Sequence, residues 1–435
     1  MNFFKKTFSS LVLCSLLVIF SSATCKKIVK KPRLLPLTNV HIVDRNGFAE
    51  TISSKDRVAQ FQNIDFLQPQ PYQKVLLVYG RDSQGKIRSV ATTYYENGNP
   101  KQFIEIVNGR ANGTYAEWHE NGSSRLAACI IGGTPDLTMA AEKSWIFDGI
   151  CCAWDEDDNL IAEIYYDQGA LCGISTYYYT NGQIWKSIPY DKNQINGMIE
   201  VFKKNGEPLM QVNYTCGQKE GKACRYWTCE QLASQELYCQ NNLMEGQYFD
   251  QNGLMIAEVK NSTGYRATFN NCGLKELQQI SNGHICGEVK VFDDKGQLTR
   301  IYHVKNSLKH GEEIDYYPSS GTLRQRLAFQ WQNGKIQGIV RTWYPNGNME
   351  SQKEMHDNKR NGVSTAWYQD GNLMLIEEYD ENQLIKGEYF KKGERIPVSQ
   401  VCNGKGIATI YDLKGNFVQK ITYLNGKPEV KDNFK

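Results

Sequence analysis

From Ser89 onward the chain alternates short runs of apolar and polar residues with glycine-bearing turns, and the alternation holds a fixed frame. Taking Gly362 as origin, Trp367 follows at +5, Gly371 at +9, Leu373 at +11 and Tyr379 at +17. Gly149 heads Trp154, Asp158, Leu160 and Tyr166 at the same offsets, Gly173 heads Tyr178, Gly182, Ile184 and Tyr190, and Gly406 heads Tyr411, Gly415, Phe417 and Tyr423. The origins Gly149, Gly173, Gly197 and Gly221 lie 24 residues apart, as do Gly287 and Gly311, and Gly338 and Gly362. Gly221 heads a worn copy with Tyr226 and Tyr238, while Gly246 and Gly387 head shortened ones. Self-similarity at a period of this size is the signature of a repeat architecture.

Each copy reads as a hairpin. Residues 362–368 form one strand, Gln369-Asp370-Gly371-Asn372 a tight turn, and residues 373–379 the returning strand. The recurring Asn97-Gly98, Asn181-Gly182, Asn205-Gly206 and Asn346-Gly347 supply residues that tolerate positive φ, the requirement of tight hairpin turns. Pairs such as Asn196-Gly197 and Asn361-Gly362 are expected to link one unit to the next. The expected fold is all-β: an elongated array of about 24-residue β-hairpins forming a meander over residues 85–430, in which each unit touches mainly its neighbours. Residues 25–84 are expected to be a basic linker and an N-terminal cap, and residues 431–435 a tail. Pro69 and Pro71 make residues 67–72 extended, and a strand over residues 74–79 shields the otherwise open first edge.

Composition narrows the class. The 435 residues hold 50 basic and 47 acidic side chains and are 11% aromatic, which suits a folded protein and excludes a disordered one. Twenty-five Tyr and 37 Gly against 12 Pro favour many short strands. Lys5 and Lys6, the apolar run of residues 11–20 and the small residues Ser21, Ser22 and Ala23 follow the order of a signal peptide, residues 1–24. The apolar run is too short to span a bilayer. Two processing routes stay open: cleavage after Ala23, or acylation of Cys25, since Ser22-Ala23-Thr24-Cys25 resembles a bacterial lipoprotein box. Losing Lys5 and Lys6 lowers the formal charge from +3 to +1, so no strong field for nucleic acid remains. The basic run from Lys26 to Arg33 reads as a solvated linker or as a contact with anionic headgroups.

The glycine, aromatic and asparagine-glycine frame resembles the bacterial variant of the MORN repeat, found in proteins often labelled antitoxin-type. The aromatic at +5 and the glycine at +9 are the matching positions, over roughly residues 85 to 430, with a period slightly longer than the parent unit and broken copies from Cys216 to Cys239. The resemblance implies a β-hairpin array and no single biochemical activity.

Candidate chemistry is sparse. Cys216, Cys224, Cys229 and Cys239 crowd the worn copies. A disulfide cluster, unlinked small core residues and a zinc site all stay open, although no Cys-x-x-Cys knuckle is present. Asp155, Asp157 and Asn159 mimic the start of a calcium loop, but Leu160 stands where that loop needs Gly. The six histidines lack metal-protease spacing, and neither a phosphate loop nor a nucleophile elbow is present, so no catalytic residue, metal or cofactor is expected. The +5 aromatics read as a stacked core. Their +6 neighbours Tyr179, Tyr317, Tyr344 and Tyr368 then point to the opposite face, where they form the candidate binding surface.

The functional expectation is a non-enzymatic, exported repeat protein at the cell envelope or secreted, acting as a protein-interaction scaffold. The alternatives are an antitoxin or immunity-type binding protein and a carbohydrate-binding or processing protein. A protein partner and a membrane surface met through the N-terminus are expected, and nucleic acid is not. Deleting residues 1–24 should retain the chain in the cytoplasm, and Cys25→Ala should release mature protein from membranes if Cys25 is acylated. Fractionation and immunoblotting check both, and equal partitioning of Cys25→Ala and parent counts against acylation.

Overall fold

The computed structural model describes residues 35–318 and 321–429, which fall into two compact units, one ending at Glu220 and one starting at Gly221. The leader, Cys25, the basic run and the tail lie outside the described residues. Both units are built almost wholly of antiparallel strands, each paired with its chain neighbours.

The first unit opens on strand Leu37–Asp44, which pairs with Ala49–Ile52 on one side and Tyr72–Arg81 on the other. Helix Lys55–Ala59 and the turn after it bring Val58 and Phe66 onto Val40, Val75 and Leu77, an apolar core at the start of the sheet. The meander then runs through Ile87–Tyr94, Pro100–Val107, Arg110–Trp118 and Ser124–Gly132. An insertion carrying the helical turn Met139–Glu142 follows, capped where Thr138 accepts the Ala141 amide. Trp145, just after it, packs on Tyr115 at 4.6 Å between ring centres. Hairpins 149–167, 173–191 and 197–215 complete the unit.

The second unit repeats the pattern from Gln218–Thr228 and Gln231–Cys239 to Lys405–Tyr411 and Phe417–Leu424. The sequence frame is the pairing register itself: the origin glycine faces the +17 tyrosine in Gly149↔Tyr166, Gly173↔Tyr190, Gly221↔Tyr238, Gly362↔Tyr379 and Gly406↔Tyr423. Gly362 is glycine for two reasons. Its φ is +110°, and a Cβ would collide with the Glu354 carboxylate that accepts the Val363 amide.

Two details depart from expectation. The links between hairpins are turns such as Lys192–Asn193 and Asp357–Asn358, both residues at positive φ, which precede the Asn196-Gly197 and Asn361-Gly362 pairs. The register also slips beside the +5 aromatic, as between Tyr177 and Tyr178, Thr342 and Trp343, or Ala366 and Trp367. This bulge breaks the strict two-face alternation at +5 and +6.

The shortened hairpins share a construction of their own. Glu236 faces Gly246 and Glu377 faces Gly387, and neither glycine has positive φ. The tyrosine two residues after each glycine folds back over it: Tyr248 Oη donates to Glu236 at 2.8 Å and Tyr389 Oη to Glu377 at 2.8 Å. Glycine is required here for space, since a Cβ on Gly387 would sit 2.7 Å from Tyr389 Oη. Gly387→Ala should therefore lower stability by about 1–3 kcal/mol through overpacking and the displaced phenol. Gly393→Ala, with open space around it, should cost only its positive-φ strain. Thermal melts of the two variants compare the effects.

Candidate functional site

The turn edge of each unit is stitched from hairpin to hairpin. The +6 side chain donates to the carbonyl of the aromatic that ends the next outgoing strand, at +5 in full hairpins and +3 in the shortened ones: Tyr95 to Trp118 and Tyr179 to Phe202 at 2.9 Å, Trp227 Nε1 to Phe249 at 3.0 Å, Tyr344 to Trp367 at 2.8 Å and Tyr368 to Phe390 at 2.9 Å. Tyr317 donates to Trp343 at 2.6 Å, and His119 Nε2 lies 3.0 Å from the Trp154 carbonyl. Beside this row Asn97, Asn181 and Asn346 donate to the carbonyls of Glu120, Lys204 and Gln369. At the opposite edge Asn108, Asn193, Asn358 and Asn382 accept the amides of Ile87, Leu171, Ile336 and Arg360.

The candidate binding surface of Tyr179, Tyr317, Tyr344 and Tyr368 is therefore corrected. Tyr344 and Tyr368 are buried, Tyr368 completely, and all four hydroxyls are used between hairpins. The bulge turns the +6 ring along the sheet instead of away from it, and Tyr368 opens the turn, its amide donating to Asn372 O and its carbonyl accepting from Gly371. Among the +5 aromatics Trp154 and Phe269 are buried, while Phe202, Trp343 and Trp367 are half-buried.

Most buried carboxylates elsewhere are answered, although Glu163 accepts the Tyr178 hydroxyl on one oxygen and has no partner on the other. Glu313 accepts Lys309 Nζ and Trp331 Nε1, both at 2.6 Å, and Asp315 accepts Arg300 Nε at 2.6 Å and Arg326 Nη2 at 2.9 Å. Burial pushes the Glu236 carboxyl up, but the Arg266 guanidinium at 2.8 Å and the hydroxyls of Tyr248 and Tyr238 outweigh it and hold the group below the usual carboxylate range.

One place in the second unit is different. An open groove of about 450 Å³ lies over strands Met349–His356, Lys359–Trp367 and Leu373–Asp380, where Lys353 faces Ser364 and Ser364 faces Glu377 in one cross-strand row. The Ser364 hydroxyl is buried, 2% exposed, and has no hydrogen-bond partner. Lys353, half-buried, makes no hydrogen bond or ion pair with any described residue, and burial followed by the Arg360 guanidinium lowers its ammonium below the ordinary lysine value. Arg360 reaches only the Tyr379 hydroxyl, at 2.9 Å, with its side chain, its guanidinium 5.0 Å from the ring centre. Both Glu377 oxygens are occupied, by Tyr389 and by Tyr379 at 3.0 Å. Trp367, Leu375, Met374 and Leu413 supply an apolar side.

A family description, the MORN repeat variant, matches residues 171–192 and 336–357, each covering one hairpin from its outgoing strand through the turn to its returning strand. The chain belongs to the MORN-repeat proteins. No curated protein matches it. Among solved structures it is similar to a chain of the TcdB2–TccC3 complex without the hypervariable C-terminal region, at 12% identity over 85% of this chain and 25% of that one, with a TM-score of 0.15. It is also similar to a chain of the Photorhabdus luminescens Tc holotoxin pore, at 12% identity over 89% and 28%, with a TM-score of 0.13. The chain thus spans about a quarter of the length of these structures, and at such scores the likeness carries no argument.

In this MORN-repeat protein Cys216, Cys224, Cys229 and Cys239 stand as thiols, not as a disulfide cluster. Cys229 and Cys239 lie at opposite ends of one hairpin, beyond the pairs Thr228↔Gln231 and Gly221↔Tyr238. Seven residues of strand are roughly 23 Å, far beyond the span of a disulfide. Asp155 spends its carboxylate inside its own turn, accepting the amides of Asp157 and Asn159 and the Asn159 side chain. Among the described residues no three His, Cys, Asp or Glu side chains converge to hold a metal. The groove residues Lys353, Arg360 and Ser364 escaped sequence reasoning: Lys353 occupies the +15 column, which holds Ile164, Ile188 and Val212 in some copies but Glu236 and Glu377 in others.

Two substitutions should have opposite signs. Ser364→Ala removes a buried hydroxyl with no partner and should raise stability by about 1 kcal/mol, whereas Tyr368→Phe strips the Phe390 carbonyl of its donor and should cost about 1–2 kcal/mol. Denaturant melts of both variants test this.

Proposed function

We propose that this MORN-repeat protein is a non-enzymatic binding scaffold, exported to the cell envelope or beyond it, that presents the groove of its second unit to a protein partner. One observation carries the reading: in the groove a lysine without a hydrogen bond or ion pair to any described residue faces the buried, partnerless Ser364 hydroxyl beside an apolar side, whereas the partnerless Ser175 hydroxyl of the first unit faces Ile188. Proteins retain such groups at a cost in stability where they serve binding. The leader pattern of residues 1–24 supports export, and the basic run after it supports contact with a membrane surface.

A photocrosslinking side chain placed at Leu413, exposed on the groove, should trap one discrete protein in the native cell. The same group at Phe48, 71% exposed in the first unit, should not. The reading fails if both positions give the same adducts or if Leu413 gives none.

A further inference from the structure

We propose that the groove of the second unit is a carboxylate-binding site, in which Lys353, Ser364 and Arg360 receive the anion and Trp367, Leu375 and Met374 an apolar body beside it, a ligand class that rests on the scaffold reading.

The chain contains its own control. Glu236 and Glu377 occupy the same place in two shortened hairpins, each facing a glycine and each accepting two tyrosine hydroxyls. Glu236 itself is closed: Ala223 faces it, and Arg266, two residues past Gly264, neutralises it, although the buried Nε of nearby Arg225 has no partner. Around Glu377 the facing residue is Ser364, and the position two past the matching Gly406 is Ala408. An apolar neighbour has become a partnerless hydroxyl, and the cation that closed the site is missing. Lys353 stands on the other side of Ser364, while Arg360, on the Ser364 strand, reaches the Tyr379 hydroxyl that serves Glu377, and neither cation forms an ion pair with a described residue.

The donors select the ligand. Side chains facing one another across antiparallel strands have Cβ atoms roughly 5 Å apart, so Lys353 and Ser364 can reach one anion together. A cation gains nothing at Glu377, whose two oxygens already accept from tyrosines. The ionisable lining is balanced, Lys353 and Arg360 against Glu350 and Glu377, so one added negative charge is matched to the donors while a dianion meets both carboxylates. A carboxylate on an apolar body fits this, and two sources share that chemistry: a free carboxylic acid, or an acidic side chain of an extended peptide.

Calorimetric titration of the full chain with four probes tests the site: 3-phenylpropionate, its amide, inorganic phosphate, and an end-blocked hexapeptide alternating Phe and Glu. The carboxylate should bind at least tenfold more tightly than the amide and than phosphate. Lys353→Met and Ser364→Ala should each weaken it at least fivefold, Lys353→Arg should restore it, and Lys295→Met, in a distant turn, should leave it unchanged. A hexapeptide at least tenfold tighter than the free acid identifies the source as a peptide side chain, and the reverse order a small acid. Equal binding of acid and amide, tighter binding of phosphate, or indifference to both Lys353→Met and Ser364→Ala overturns the site. Should Lys353→Met fail to fold, Ser364→Ala decides alone. Because no probe is a protein, loss of the crosslinked partner and loss of carboxylate binding are separate outcomes.

Discussion

A single hydrogen bond, from the +6 side chain of one hairpin to the carbonyl of the aromatic that ends the next outgoing strand, sets the terms for the rest of each unit. It demands a flat ring with an N–H or O–H donor at its far end, and Tyr, Trp and His all meet that demand, at Tyr368, Trp227 and His119. The ring spans the gap between neighbouring turns and buries apolar area on the way, so one residue supplies packing and register together. The flanking asparagine amides repeat the constraint at the turn tips, and the Asn108, Asn193, Asn358 and Asn382 carboxamides repeat it at the opposite edge. A ladder of strands alone resists slippage weakly; where these bonds hold both edges of a hairpin, they make the step discrete, whereas at Asp155, Asp293 and Asp412 the +6 side chain closes its own turn instead.

Phenols also settle the interior charges. Glu236 and Glu377 each sit between two tyrosine hydroxyls, and Glu163 takes the Tyr178 hydroxyl at 2.7 Å. A neutral donor beside a buried carboxylate relieves desolvation without a second charge whose own removal from water must be offset. The Glu313 and Asp315 network uses cations for the same purpose, where Arg300 and Lys309 remain partly in solvent. Glu163 Oε1 and the Ser175 hydroxyl have neither solution, and the groove adds to a partnerless Ser364 hydroxyl a lysine facing it.

The period, the hairpin and the pairing of origin glycine with +17 tyrosine were legible because each is a local pattern with one structural cause. The faces of Tyr344 and Tyr368 were not, because strict alternation was carried through +5 and +6 and the bulge between +4 and +5 cancels it. The cysteine cluster misled for a related reason: closeness along the chain between Cys229 and Cys239 becomes a full strand length once the hairpin folds. Lys353 stands in a +15 column that already mixes Ile164 and Val212 with Glu236 and Glu377, so nothing along the chain marked it, and its meaning depends on Ser364, which the cross-strand register brings beside it.

The two shortened hairpins bear on how such a chain comes to exist. Gly221, Glu236, Tyr238, Leu243, Gly246, Tyr248 and Phe249 recur as Gly362, Glu377, Tyr379, Leu384, Gly387, Tyr389 and Phe390, at a constant offset of 141 residues. That offset spans several hairpins, which points to tandem duplication of a block, not of single repeats. Because neighbouring hairpins meet through the same strand-to-strand register, a block can be copied in frame without leaving an unmatched seam. Redundancy of this kind lets two copies differ: the Ala223 and Arg266 version closes its carboxylate with a cation, and the Ser364 and Ala408 version leaves a hydroxyl facing it.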